Sequence, residues 1–238
     1  MRVYLDNNVL VDIEEGVLSL SDFCSKSQSA YFFSEVHMDE LMNGLETHPE
    51  LKGIRLKTLG ELCRKNYILP GVFSQDLEIE ERDVQSAYDL SLRFKFLHDQ
   101  IYQFTKSMKF DRDAILNSLV LEKKEVGNYK PEEVLGLINE KMNARWGYDI
   151  PTYLKMQDAL FGRTEYNALF NLLDFVCYWR DKSHVARLYD ASHAYFAQKC
   201  DVLVSNDKRM RYKAAAVYSY FGVNTKVVSA GEFLGEVA

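Results

Sequence analysis

Residues 2–10 read RVYLDNNVL. An apolar run leads into one aspartate, two asparagines follow, and an apolar run resumes. Four or five nearly continuous apolar residues read as a strand buried on both faces, the pattern of a parallel sheet. A carboxylate where such a strand finishes has two readings. Asp6 caps a helix beginning near Asn8 or Val9, or it serves chemistry and needs partners elsewhere in the chain.

Similar runs recur: AYFFS at 30–34, DVLVS at 201–205, KVVS at 226–229 and, more weakly, NYILP at 66–70. Stretches of helical period lie between them, such as VHMDELMNGL at 36–45 and HVARLYDASHAYFAQKC at 184–200. The latter places Val185, Leu188, Tyr189, Ala191, Tyr195 and Phe196 close to a three-and-four spacing. Strands alternating with helices predict an α/β fold with a central parallel sheet and right-handed crossovers.

The middle breaks this rhythm. From about residue 83 to about 182 only amphipathic helical segments are legible: VQSAYDLSLRFKFLHDQIYQFTKSM (84–108), RDAILNSLVLEKKEV (112–126), PEEVLGLINEKMNARW (131–146) and EYNALFNLLDFVCYWR (165–180). Pro131 followed by two glutamates suits a helix start, and Gly127–Asn128 suits the break before it. Because strands resume afterwards, the span reads as a helical insertion within a single domain over 1–238.

Composition sets outer bounds. The chain of 238 residues is 47% hydrophobic and 27% charged, ordinary for a folded soluble protein. No apolar run approaches the roughly 18 residues that span a bilayer, and the start lacks the pattern of a signal peptide, so no membrane role is expected. Cys24, Cys63, Cys177 and Cys200 stand far apart, which argues against a zinc site and for reduced thiols in the cytoplasm. The net charge of -6 does not advertise nucleic-acid binding, but a carboxylate cluster that holds cations starts out negative. Locally, KRMRYK at 208–213 is the densest basic segment and DLEIEERD at 76–83 the densest acidic one; each reads first as a solvated face.

In an open parallel sheet, ligands bind beyond the carboxyl ends of the strands, where strand order reverses. Asp6 ends the first strand, and Asp207 follows DVLVS by two residues. Glu40 lies in the first turns of the helix after AYFFS, and Asp190 lies in the helix that feeds DVLVS. Each has a plainer role: a cap for Asp6, an exposed helix acid for Glu40, an ion pair with Arg187 or Lys199 for Asp190, a turn for Asp207. Their shared topological position predicts convergence on one sheet edge. Clustered carboxylates need a counter-cation, and hard oxygen ligands suit Mg²⁺ or Mn²⁺. Such ions activate water and stabilise the departing oxygen in phosphodiester hydrolysis, leaving a 3′-hydroxyl and a 5′-phosphate.

At these motifs the chain resembles the PIN-domain nucleases, a family that includes toxin ribonucleases and RNA-processing endonucleases. YLDNNVLVDI resembles the family's opening strand, with Asp6 its first acid and Asn8 a supporting asparagine. SEVHMDELMNG is similar to the second motif, which assigns the second acid to Glu40 and not Glu35. YDASHAYFAQKCDVLVSNDKRM resembles the third and fourth, with Asp190 and Asp207 as acids and Ser205 as the polar strand-end residue. GVNTKVVSAGEFL is similar to the closing strand and helix. The resemblance covers about 1–75 and 183–238; the long insertion departs from the compact toxin pattern.

It implies a three-layer α/β/α fold and a metal-dependent endoribonuclease, with Asp6, Glu40, Asp190 and Asp207 as both catalytic residues and Mg²⁺ or Mn²⁺ ligands. RNA is the implied substrate; an antitoxin or other regulator and a homodimer are the implied protein partners, and a toxin or defence role comes with the family. Two alternatives stay open: a non-catalytic module binding RNA or protein, and a structure-specific DNA nuclease. Lys208, Arg209 and Arg211, with Lys213 behind them, are candidate phosphate contacts. His193 reads as a satisfied helix histidine or a site residue, and His37 is undecided. Phe94, Phe96, Tyr102, Phe104, Trp146, Tyr148 and Trp179 read as core at helical spacing, with stacking on unpaired bases the alternative.

Overall fold

The computed structural model describes residues 1–44, 48–71, 76–107, 111–157 and 164–235. The elements run β1 (Arg2–Leu5), α1 (Asn7–Glu14), α2 (Leu20–Cys24), β2 (Ala30–Ser34), α3 (Glu35–Gly44), α4 (Leu51–Cys63), β3 (Asn66–Pro70), β4 (Leu77–Glu81), α5 (Val84–Arg93) and α6 (Lys95–Ser107). There follow α7 (Arg112–Leu119), α8 (Lys123–Val126), α9 (Pro131–Trp146), α10 (Ile150–Gln157), α11 (Thr164–Phe175), α12 (His184–Ala197), β5 (Val202–Val204), α13 (Lys208–Phe221), β6 (Lys226–Val228) and α14 (Ala230–Leu234). Leu45 and Met108, the last residues of two predicted helices, lie outside the described residues. The chain divides into two compact units: Met1–Tyr102, Phe196–Asp207 and Thr225–Ala238 in the first, Gln103–Tyr195 and Lys208–Asn224 in the second.

The first unit is α/β and holds the whole sheet, in the order β4-β3-β2-β1-β5-β6. β1 pairs in parallel with β2 and β5, β2 with β3, and β5 with β6. The chain steps from β1 to β2 to β3 on one side and returns to the other side for β5 and β6. Strand order therefore reverses between β1 and β5, and their carboxyl ends flank the switch point. Side chains alternate across the pleat: Val3, Leu5, Tyr31, Phe33, Val202 and Val204 share a core with Val9, Leu10 and Ile13 of α1. On the opposite face the buried Tyr4 hydroxyl meets Ser34 Oγ at 2.7 Å.

One strand was not expected. LEIEE at 77–81 forms β4, antiparallel to β3, where only a solvated acidic run was legible. Both descriptions hold, because β4 is an edge strand and its glutamates discourage further strand pairing.

The second unit is helical among its described residues. α9 starts at Pro131, where Glu133 accepts from the Lys130 backbone N–H (3.4 Å), and ends at Gly147, whose φ of 74° suits a left-handed cap. Its apolar face, Val134, Leu135, Ile138 and Met142, is buried, as are Leu169, Phe170, Leu172 and Leu173 of α11. Within this core sits a charged network. Asp174, fully buried, accepts from Arg112 (Nη2, 2.6 Å), Arg187 (Nη1, 2.9 Å) and the Asp181 backbone N–H (2.9 Å). Arg187, one of the two cations suggested as a partner of Asp190, thus takes Asp174. Arg187 Nη1 also donates to His184 Nδ1 at 2.8 Å. Burial, then the charges of Arg187 and Arg112, hold that imidazole below its ordinary range.

The expected aromatic core is only partly realised. Phe94, Phe96 and Phe104 are 53%, 77% and 56% exposed. The sequence over 84–108 reads as one amphipathic helix, but the chain breaks at Phe94 into α5 and α6, and Phe94 and Phe96, two residues apart, could not share one helix face. Tyr102 is half-buried. Trp146 and Tyr148 pack on each other with centroids 5.7 Å apart, and Trp146 Nε1 donates to Ser118 Oγ at 3.1 Å.

Candidate functional site

Asp6 follows β1 directly, and its backbone N–H still bonds to β5, at Val204 O (2.9 Å). One carboxylate oxygen caps α1 by accepting from Asn7 N–H at 2.8 Å. The other accepts from Ser205 Oγ at 2.7 Å and from Asn8 Nδ2. The capping reading of Asp6 therefore holds, and the same carboxylate meets Asn8 and Ser205 across the switch point. Asp6 is 3% exposed and Ser205 fully buried.

The DNN tripeptide now has a physical account. Asn8 Oδ1 accepts from the Asn206 N–H (2.9 Å), while Ser205 Oγ accepts from Asn8 Nδ2 and from the Asp207 N–H (both 3.1 Å). Asn8 and Ser205 thus stitch the end of β1 to the turn after β5, bringing Asp6 beside the Asp207 backbone. Asn7 serves differently: its Oδ1 accepts from Arg55 of α4, which also grips Glu14 through two hydrogen bonds, one at 2.9 Å. Asn206 was not foreseen. It donates to Asp12 Oδ2 (2.6 Å) and accepts from Ala230 N–H (3.0 Å), joining α1 and α14 to the same turn. Its only sequence signal was a polar residue between two predicted site residues.

Glu40 stands half-buried on α3. Burial raises the Tyr4 hydroxyl well above the ordinary phenol range, and the charges of both Asp6 and Glu40 raise it further. The two acids therefore act on one buried hydroxyl from two elements. His37 is settled as structural. Its Nδ1 accepts from Ser34 N–H at 3.1 Å, so Nε2 carries the proton and donates to Leu5 O at 2.9 Å. A fully buried, neutral histidine thus pins the start of α3 to the end of β1.

α3 is also tied to α6, where His98 Nδ1 lies 2.9 Å from Asp39 Oδ2. That hydrogen bond raises His98 above its ordinary 6.5, against the opposing effect of burial. A raised histidine stabilises fully below its unfolded value and loses that contribution as pH climbs through the folded one. The urea midpoint should fall as pH rises past about 6.5, and His98→Gln should flatten that dependence. An unchanged slope in the variant would show that the pair adds nothing.

Asp190 belongs to the second unit, on α12. It lies 3.9 Å from Nζ of Lys213, which is fully buried and also holds Asp181. Lys213 is therefore no surface phosphate contact, contrary to the sequence expectation; i, i+4 packing of α13 turns it inward while Lys208 stays exposed. Arg209 and Arg211 are half-buried on the same helix, and His193 is buried on α12.

Among the described residues, no three His, Cys, Asp or Glu side chains form a group placed to hold a metal ion. The donor type, carboxylate oxygen at the switch point, fits a hard cation. What the described residues of the first unit assemble at the switch point is narrower: the buried Asp6 carboxylate, accepting from the Asn7 N–H, Asn8 and Ser205, with the Asp207 backbone bonded to the same serine. No described helix is long and apolar enough to cross a membrane. No family model, no curated protein and no solved structure matches the chain.

Proposed function

We propose that the chain is a PIN-like, three-layer α/β/α nuclease that hydrolyses RNA phosphodiesters with Mg²⁺ or Mn²⁺. The observation that carries this reading is the junction of Asp6, Asn8, Ser205 and Asp207 at the reversal of strand order, the place where open α/β sheets bind ligands. Asp6, Glu40 and Asp207 of the first unit are the acids assigned to the ion, and Asp190 joins them on the sequence resemblance alone. A bound divalent ion would supply Lewis-acid activation of water and of the phosphoryl group. The chain's own contribution is positional: α1 and Ser205 fix the Asp6 carboxylate, and His37 fixes the start of the helix that bears Glu40. The setting is cytoplasmic, where four free thiols stay reduced.

A second reading is a non-catalytic module that binds RNA or protein. It is favoured by the protein donors that already occupy Asp6. Incubation of mixed RNA and single-stranded DNA with Mn²⁺, Mg²⁺ or EDTA separates the readings, with Asp6→Asn alongside and Mn²⁺ binding followed by calorimetry. Metal-dependent RNA cleavage lost in the variant supports the nuclease; DNA cut in preference to RNA moves it to the DNA-directed class. Intact substrate in every lane with no heat of Mn²⁺ binding leaves the module.

A further inference from the structure

In the second unit, the loop between α11 and α12 holds two non-glycine residues in the left-handed region, Cys177 (φ 61°) and Trp179 (φ 49°). That conformation is costly for a bulky aromatic and persists only where surrounding contacts over-determine it. Here they do. Asp181 is gripped at its backbone by Asp174 and at its carboxylate by buried Lys213, while buried Tyr178 donates to Tyr129 O at 3.3 Å.

What this loop presents is the half-buried Trp179 indole. Its centroid lies 4.4 Å from that of Tyr212 on α13, and Lys208 Nζ sits 4.7 Å from the indole centroid and 5.5 Å from the phenol centroid. The two segments that carry the rings are cationic, although Glu132 of α9 lies near enough to act on Tyr178. Once Lys213 and Asp181 are set aside as a buried pair, the segments 178–182 and 208–213 hold Arg180, Lys182, Lys208, Arg209 and Arg211, and no acid. Arg180, Lys182 and Lys208 are exposed. This concentration stands out in a chain whose net charge is -6.

We propose that Trp179 and Tyr212 form a stacking platform for an unpaired base of a single-stranded nucleic acid. The base takes the position over the indole that the Lys208 ammonium now holds, and the ammonium passes to a neighbouring phosphate. Every base offers a π-face to such a platform, and the cations track the backbone without reading sequence. An acidic peptide would use the cations but leave the aromatic pair without a role. The platform rests on the nuclease reading for the identity of the strand, as its substrate; binding itself requires no cleavage.

The chain has two tryptophans, so Trp146→Phe leaves Trp179 as the sole indole reporter. Titration of that variant with an unstructured ten-residue RNA in EDTA should quench its fluorescence saturably. By anisotropy, Trp179→Ala should bind roughly five- to hundred-fold more weakly. Tyr212→Leu, which leaves the strained loop untouched, should weaken binding in the same direction. Lys208→Gln should reduce the slope of log K against log salt by about 0.7, the single-strand value for one phosphate contact. Absence of quenching overturns the platform, and so does undiminished binding by both aromatic variants. Equal binding of polyglutamate replaces it with a plain charge surface. RNA that quenches Trp179 but is never cut leaves the platform and removes the nuclease reading. RNA cut by wild type and bound undiminished by both aromatic variants does the reverse.

Discussion

Asp174→Asn is expected to destabilise the second unit by about 3–5 kcal/mol, the cost of breaking a buried ion pair on one side. Asp174 has no exposed side-chain surface, and Arg187 and Arg112 retain only 3% and 15% of theirs. Both guanidiniums would keep their desolvation cost and lose their shared counter-charge. An asparagine oxygen can still accept from the Asp181 N–H, so the loss falls on the two guanidiniums. Urea unfolding measures the effect. A loss under about 1 kcal/mol would place the pair in the range of solvated surface bridges and contradict the burial on which the expectation stands. The pH dependence adds a second check. Burial works against the Asp174 carboxylate, but the Arg112 hydrogen bond, the Asp181 N–H and the two guanidinium charges hold it below the ordinary 3.8. A depressed carboxylate stabilises above its unfolded value and loses that contribution as pH falls through the folded one, so the variant should lose less stability on acidification than wild type.

Asp6→Asn is expected to lower RNA cleavage by on the order of 10³-fold or more, since loss of a metal-held carboxylate removes several kcal/mol of transition-state stabilisation. The choice of asparagine matters. It caps helices about as well as aspartate, so the start of α1 keeps its bond, while the amide nitrogen forfeits the hydrogen bonds that Asn8 and Ser205 donate and costs some stability. Asp6→Ala would instead add a capping loss of about 1 kcal/mol and blur the two effects. A folded variant with wild-type cleavage would remove Asp6 from the chemistry. A folded variant with no cleavage would tie the switch-point junction to the reaction.

Much of the fold was legible because its signals are local. Arg2–Leu5, Ala30–Ser34 and Val202–Val204 are short apolar runs bounded by polar residues, and burial on both faces demands that composition. β4 escaped because an edge strand needs only Leu77 buried, and its glutamates masked the alternation. The break at Phe94 escaped because an interruption of one residue leaves little mark on apolar spacing. At the site, Asp6, Asn8 and Ser205 were singled out as an acid and two supporting residues by the family resemblance, and the structure joins them by hydrogen bonds. Glu40 and Asp207 were placed on the right elements, and Asp190 stands with Lys213 in the second unit.

The sequence by itself determined where the central parallel strands lie and which acids stand at their ends, because those depend on residues a few positions apart. Only the tertiary structure decided what each polar group meets. Asn7 meets Arg55, 48 positions away; Ser205 meets Asp6 across 199; Lys213 turns from a surface cation into a buried partner of Asp181, 32 positions back. Such pairings depend on the register in which elements pack, and burial makes an unpaired charge costly enough to select them. No local pattern carries that information.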